Sequence, residues 1–420
     1  MTKHEVPTHG TNAPQPVRTL RDWLDHLAGR DRLAVLKPNM ALKFELAAHA
    51  KRLDGLRATV FPKPGGHPMP VVSGLVSDRG WIAEAMGVEP ADMLPRFQEA
   101  ASHPVPWQEV KSAPAQEVVH RSVDLTKLLP IPTHNEHDGG PYIAAGIMVV
   151  RNPKSGKQNV SIHRCQVTGP NRLGVLVLPR HTYTFHRMAE EAGRPLEAAI
   201  VIEGRFLPGV REPEGPFGEF PQTYGSRSNR EVMEVVTVTH RKDAMFHTMS
   251  GGGLEHLLLG AIPKEATLLT HLRRNFPNVL DVHLSPGGTM RFHLFVKIKK
   301  IQEGQGKNII MGAFAGSFDL KHVVVVDDDI DIHNPAEVEL AIATRFQADR
   351  DLLVVPESQG SKLDPSNRDG VGAKMGLDAT KPLAATEMHY KRIRVPGEET
   401  IDVAELLKRS GTDWRAALKD

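Results

Sequence analysis

The sequence predicts a multidomain protein of the α+β and α/β classes: a small α/β domain, an antiparallel barrel-like domain, then a C-terminal α/β domain. Three observations carry this. Helix-type and strand-type apolar spacings alternate through residues 1–115. Short strands with few regular helices between them fill residues 116–312, the pattern of an antiparallel barrel. Within residues 313–420 a strand, an acidic turn, a helix and a strand follow one another in βαβ order.

The chain has 420 residues, enough for two or three domains. A formal net charge of +2 gives no field that calls for nucleic acid or a membrane surface. Cys165 is the single cysteine, which excludes an intrachain disulfide framework and a cysteine zinc cluster. The first sixteen residues are polar and proline-containing, read as a disordered lead rather than a signal peptide, and no apolar run is long enough to cross a bilayer. A reducing cytoplasm fits this usage.

In order along the chain, Leu20, Trp23, Leu24 and Leu27 recur at helical spacing, and Gly29 follows as a stop. Leu33–Leu36 reads as a strand and Phe44–Leu53 as a helix. Ala58–Phe61 and Pro70–Leu75 flank a Lys63-Pro64-Gly65-Gly66 turn, so they read as a hairpin, and Trp81–Met86 is helical. Strands are expected at Ile143–Val150, Asn159–Val167, Gly174–Leu178, Ala198–Ile202, Val232–Thr239, Ala244–Thr248 and Arg291–Lys299, with helices at His181–Glu191 and from Leu254. His322–Val326 and Leu352–Val355 read as buried-type strands around a Pro335–Arg345 helix that opens on proline. Asp402–Leu407 and Thr412–Leu418 are amphipathic and helical.

The chemistry centres on Glu214-Gly215-Pro216-Phe217-Gly218-Glu219. Gly215-Pro216 cannot continue a helix, and Gly218 accepts backbone conformations that other residues resist. The stretch is therefore a tight loop that aims two carboxylates at one place. Two carboxylates held close resist ionising together, so one can keep a proton and deliver it near neutral pH. A solvated surface turn is the bland reading.

On an Asn159–Arg164 strand, Asn159, Ser161 and His163 share a face and Arg164 points to the other, where it could pair with a carboxylate. His181 follows an apolar strand and could ligate a metal or simply cap the strand end. His134-Asn135-Glu136-His137-Asp138-Gly139-Gly140 lacks the spacing of a tetrahedral zinc motif. Asp327–Asp331 lacks the glycine and terminal glutamate of a calcium loop, and Ser250–Gly253 is not followed by the lysine of a phosphate-binding loop.

Taken together and in order, these segments resemble the UbiD-type family of prenylated-FMN-dependent reversible decarboxylases. The resemblance runs from Leu20–Leu36 through Asp138-Gly139-Gly140, Asn159–Arg164, Pro179-Arg180-His181, Ile202-Glu203-Gly204, Glu214–Glu219 and Val324–Ile332 to Lys374–Thr380. It implies a split-barrel flavin-binding central domain and a C-terminal domain for assembly as a homodimer or larger oligomer. It implies a catalytic network of Arg164, Glu214 and Glu219, with Glu219 as proton donor and Arg164 paired to Glu214. It implies cofactor contacts from Asn159, Ser161, Ile162, His163, Arg164, Arg180, His181 and Lys374. Mn2+ (or Mg2+) would be bound by Asn159 and His181, with K+ nearby, and a flavin prenyltransferase would supply the cofactor. The expected substrate is an aromatic, heteroaromatic or α,β-unsaturated carboxylic acid, with CO2 as product.

One departure from the family stands out. Leu196–Ile202 runs straight into Glu203-Gly204, as if two family strands were fused and the α/β segment between them were missing. That segment carries the family's third metal ligand, a glutamate, which no residue here matches. The alternatives are a non-catalytic relative without a complete cofactor site and a metal hydrolase built on the histidine-rich loop.

Overall fold

The computed structural model describes residues 17–106, 108–199 and 202–408 of the chain. The N-terminal lead and the Thr412–Leu418 helix expected from sequence lie outside these residues. The chain forms two units, residues 1–380 and 381–420. Among the described residues of the second, only short helical turns and the helix Val403–Lys408 are regular.

The first helix, Leu20–Ala28, is fixed locally. Thr19 accepts the backbone N–H of Asp22, the Asp22 carboxylate accepts that of Thr19, and Trp23, Leu24 and Leu27 are buried. It packs on a sheet ordered Leu33–Val35, Ala58–Phe61, Val71–Ser73, Phe246–His247. The expected hairpin is present, Val60 opposite Val72. Phe246–His247 pairs parallel with Val71 and Val72, so this strand from the β-rich stretch completes the N-terminal sheet rather than the barrel.

The central sheet closes on itself. The order Ser228–His240, Arg172–Val175, Gln158–Gly169, Tyr142–Arg151, Leu196–Ala199, Ile202–Glu214 returns to Ser228–His240, a six-stranded antiparallel barrel. Val118–His120 adds an outer strand. The expected single strand across Ala198–Ile202 is not found. Leu196–Ala199 and Ile202–Glu214 are separate and antiparallel, with Ala199 opposite Glu203 and Leu196 opposite Phe206. Leu196 and Ala198, then Ile202, Gly204 and Phe206, are the buried positions and share one parity, so the alternation reads as one unbroken strand and only the pairing reveals two.

Helix Leu254–Asn275 leads to the last sheet, ordered Val279–Leu284, His293–Ile298, His322–Asp327, Val371–Ala379, Leu352–Gln359. His293–Ile298, expected in the β-rich stretch, lies here beside His322–Asp327. The βαβ expectation is corrected at its second strand. Leu352–Gln359 does not pair with His322–Asp327; it is an edge strand, antiparallel to Val371–Ala379, and its Val354 is 55% exposed. Val371–Ala379 takes the place beside His322–Asp327 instead. It was hidden because its Gly372, Lys374, Gly376 and Asp378 interrupt the apolar run that marks a buried strand. Among the described residues no helix is long and apolar enough to cross a membrane.

Candidate functional site

Glu214 is the last residue of Ile202–Glu214, held in register opposite Ser228. Gly215 has φ +91, and a Cβ there would meet the Ser226 carbonyl at 3.0 Å, so the turn needs glycine. Phe217-Gly218 then pairs with Tyr224-Gly225, and the Glu219 N–H donates to the Thr223 carbonyl at 2.9 Å. These ladders set where both carboxylates point.

Arg164, on Gln158–Gly169, meets both. Its Nη2 donates to Glu214 Oε2 at 2.8 Å and its Nη1 donates to Glu219 Oε1. Arg164, Glu214 and Glu219 are 8%, 0% and 7% exposed, so the network works in a medium poor in water. Burial alone would make Arg164 easier to deprotonate; the adjacent Glu219 and Glu214 charges outweigh it and raise its pKa. The guanidinium carbon lies 5.3 Å from the Phe217 ring centre, a cation–π contact that the apolar surroundings favour.

Tyr142 is a site residue the sequence did not disclose. Its hydroxyl lies 3.0 Å from Glu214 Oε1, so Glu214 accepts from both the phenol and the arginine. Nothing distinguishes this tyrosine from the apolar run it opens. Tyr142→Phe removes one donor from a fully buried carboxylate. It is expected to cost about 1–3 kcal/mol of unfolding free energy, measured by urea titration.

The histidine-rich loop is a scaffold for the acid loop. The Asp138 carboxylate accepts the N–H of Gly218 at 2.9 Å and that of Asn135 at 2.8 Å. The Gly139 N–H donates to the Pro216 carbonyl at 2.8 Å. Gln166 joins the two loops, its Nε2 donating to the Gly139 carbonyl and its Oε1 accepting the Gly215 N–H. His134 is buried against the Thr248 hydroxyl at 2.7 Å, and burial lowers its pKa to about 4. No group of three or more metal-ligating side chains occurs among the described residues, so the loop gives no support to a metal hydrolase.

A cavity of about 690 Å³ opens beside the network. It takes side chains from both faces of Gln158–Gly169. Helix His181–Glu191 covers the Asn159, Ser161 and His163 face, its Thr182 hydroxyl bonded to both Asn159 and Ser161. The Glu219 loop covers the Arg164 face. Ser161 Oγ lies 2.9 Å from His163 Nε2, and His163 Nδ1 lies 3.2 Å from the Leu176 carbonyl. Nδ1 therefore carries the proton and Nε2 accepts from the serine. Burial lowers the His163 pKa, which keeps this tautomer neutral.

Of the residues expected to hold a flavin, Asn159, Ser161, Ile162, His163, Arg164, Arg180 and His181 line the cavity. Lys374 does not. Its ammonium is spent on the carbonyls of Phe318 (2.8 Å) and Leu320 (2.6 Å), so it holds the loop that carries Asp319. Sequence reading also missed Lys264, His256, Arg291 and Asp319 on the far wall. The cavity volume suits a flavin-sized ligand. Of the metal expectation, Asn159 and His181 both line the cavity, and no group of three or more His, Cys, Asp or Glu side chains that could hold a metal ion occurs among the described residues.

The 3-octaprenyl-4-hydroxybenzoate carboxy-lyase models match throughout: the N-terminal domain at residues 24–101, the Rift-related domain at 108–202 and 193–254, and the C-terminal domain at 257–379. The Rift-related domain matches in two parts that overlap at residues 193–202. An anhydromevalonate phosphate decarboxylase from Methanothermobacter thermautotrophicus is 37% identical over 422 residues, 88% of this chain and 98% of its own length. A gallate decarboxylase from Lactiplantibacillus plantarum is 28% identical, covering 74% of this chain and 81% of its own. The UbiD-class enzyme HmfF from Pelotomaculum thermopropionicum, in complex with FMN, superposes with a TM-score of 0.89 at 43% identity, over 92% of this chain and 99% of that one. An evolved dimeric form of HmfF, in complex with prFMN, gives a TM-score of 0.85 at 41% identity.

Proposed function

The chain belongs to the UbiD family of carboxy-lyases, and from that premise we propose that it catalyses the reversible non-oxidative decarboxylation of an aromatic, heteroaromatic or α,β-unsaturated carboxylic acid with prenylated FMN. The observation that carries the reading is Arg164 bridging two buried glutamates on the wall of a flavin-sized cavity. The complexes of HmfF with FMN and prFMN support the cofactor.

The flavin, when bound against Asn159–Arg164, Arg180 and His181, supplies an electron sink for the pair released as the carbon–carboxylate bond breaks and CO2 leaves. This chain's residues do the rest. Arg164 and Tyr142 hold Glu214 in place by hydrogen bonds. Glu219, held by the same guanidinium, gives its proton to the carbon that lost CO2, and solvent reprotonates it for the next turnover. In the reverse direction Glu219 takes that proton back. Phe217, Phe220 and Met249 present apolar surface beside Glu219 and keep bulk water from the reacting carbon. Cytoplasmic location and assembly as a homodimer or larger oligomer belong to the same reading.

A second reading, a non-catalytic relative, is favoured by one observation: no group of three or more His, Cys, Asp or Glu side chains fit to hold a metal ion occurs among the described residues. Co-expression with a flavin prenyltransferase separates the two. The expected result is a coloured protein that releases CO2 from cinnamate or a heteroaromatic acid, with its manganese and potassium content measured alongside. A colourless protein with no CO2 release would establish the second reading and end the first.

A further inference from the structure

A second cavity, of about 600 Å³, lies where the barrel meets the N-terminal sheet. Arg21 of the first helix, residues 67–70, the outer strand Val118–His120 and residues 242–245 wall it. Among the described residues it shares no lining side chain with the flavin-sized cavity. Three of its lining residues are histidines: His67, His120 and His240.

Strand pairing brings two of them together. Val118–His120 runs antiparallel to Ser228–His240, with His120 opposite Val238 and His240 opposite Val118. Two residues apart on the ladder, the histidines share a face. Their rings stack with centroids 5.2 Å apart and planes 25° apart, and His120 Nε2 lies 3.1 Å from His240 Nε2. Two ring nitrogens bond in this way only when one of them lacks a proton. His240 Nδ1 lies 2.6 Å from the Arg241 carbonyl, an oxygen that can only accept. The His240 proton is therefore on Nδ1, and its Nε2 turns a lone pair toward His120.

A ring anchored through Nδ1–H on a backbone carbonyl, with Nε2 bare, is the form in which histidine binds a transition metal. His120 offers a second lone pair once its proton passes from Nε2 to Nδ1. At about 2.1 Å from metal to each nitrogen, the 3.1 Å separation sets the angle between the two bonds close to a right angle. That is the cis angle of square-planar and octahedral Cu2+ and Ni2+, narrower than the tetrahedral angle of Zn2+. His67 takes no part. Its Nδ1 accepts the Met69 N–H at 3.1 Å, so its Nε2 donates to the Lys127 carbonyl at 3.2 Å. The neighbouring cations are answered or solvated: Arg21 pairs with Asp243 at 2.7 Å, Lys127 with Asp124 at 2.7 Å, and Lys242 is exposed.

We infer that His120 and His240 form a two-imidazole site for a divalent transition metal, Cu2+ or Ni2+, with water completing the coordination. The ion takes the place of the proton between the two Nε2 atoms, and that proton is retained on His120 Nδ1. It ties the strand by which the chain enters the central sheet to the barrel strand that precedes Phe246–His247 of the N-terminal sheet. The site is independent of the decarboxylase reading.

Untagged full-length protein, stripped with EDTA and dialysed, is titrated calorimetrically with NiCl2, and with MgCl2 as a hard-cation control. His120→Ala and His240→Ala are each expected to weaken one Ni2+ site by about tenfold or more. His67→Ala and His181→Ala are expected to keep it, the second because it belongs to the other cavity. The Cu2+ complex of the wild type, formed with one equivalent of CuCl2, is expected to show two imidazole nitrogens by electron paramagnetic resonance. That measurement decides alone if the alanine variants do not fold. Ni2+ binding weaker than about 1 mM, binding unchanged in either His120→Ala or His240→Ala, or a Cu2+ spectrum without two imidazole nitrogens overturns the site and leaves a hydrogen bond between two rings. Mg2+ binding as tight as Ni2+ overturns it as well, since the ligands would then be oxygens.

Discussion

Glu219→Gln is expected to lower kcat by about 10²–10⁴-fold, the usual worth of a positioned general acid, while bound flavin stays at the wild-type level. The amide keeps an oxygen for Arg164 Nη1 and nearly the same volume, so the cavity wall is retained. What is lost is the transferable proton. Activity and the visible spectrum measured on one preparation separate these effects. Turnover within threefold of wild type would remove Glu219 from its role, and loss of flavin would show that the side chain holds the cofactor instead.

Arg164→Leu is expected to be the most destabilising single change at the site, by about 3–5 kcal/mol, because it leaves a buried carboxylate without its cation. Glu214 is fully buried, and Tyr142 alone remains to answer it. Arg164→Lys should recover only part of the loss. Arg164 bonds Glu214 through one terminal nitrogen and Glu219 through the other, a fork that a single ammonium does not reproduce. Urea denaturation is the measurement, repeated at lower pH. There the deficit of Arg164→Leu should shrink, since protonation of the orphaned carboxylate removes the charge. A deficit below 1 kcal/mol, or one independent of pH, would mean that the pair is solvated.

The Glu214–Glu219 loop was legible because its cues are local. Gly215-Pro216 breaks regular structure, and two glutamates flank the break at a spacing that brings them together. The helices were legible for the same reason, His181–Glu191 and Pro335–Arg345 to the residue. What stayed hidden depends on contacts distant in sequence. The position of Val371–Ala379 in the last sheet follows from its pairing with His322–Asp327, not from its own pattern. Lys374 read as a cofactor ligand because a lysine's partners are invisible until the Phe318 and Leu320 carbonyls fold over it. Arg291 gave no signal because only the bare helix face at Gly260, more than two dozen residues earlier, makes room for it.

The short reversal between Ala199 and Ile202 has an evolutionary consequence. Glu214 takes its position from the ladder to Ser228–His240, and Arg164 takes its position from another staircase of the same barrel. Neither depends on how many residues the tip of that hairpin holds, since Ala199 and Glu203 are paired below it. Insertion or deletion at the tip can therefore trade accessory parts in and out of the lineage without disturbing the arginine and its two acids.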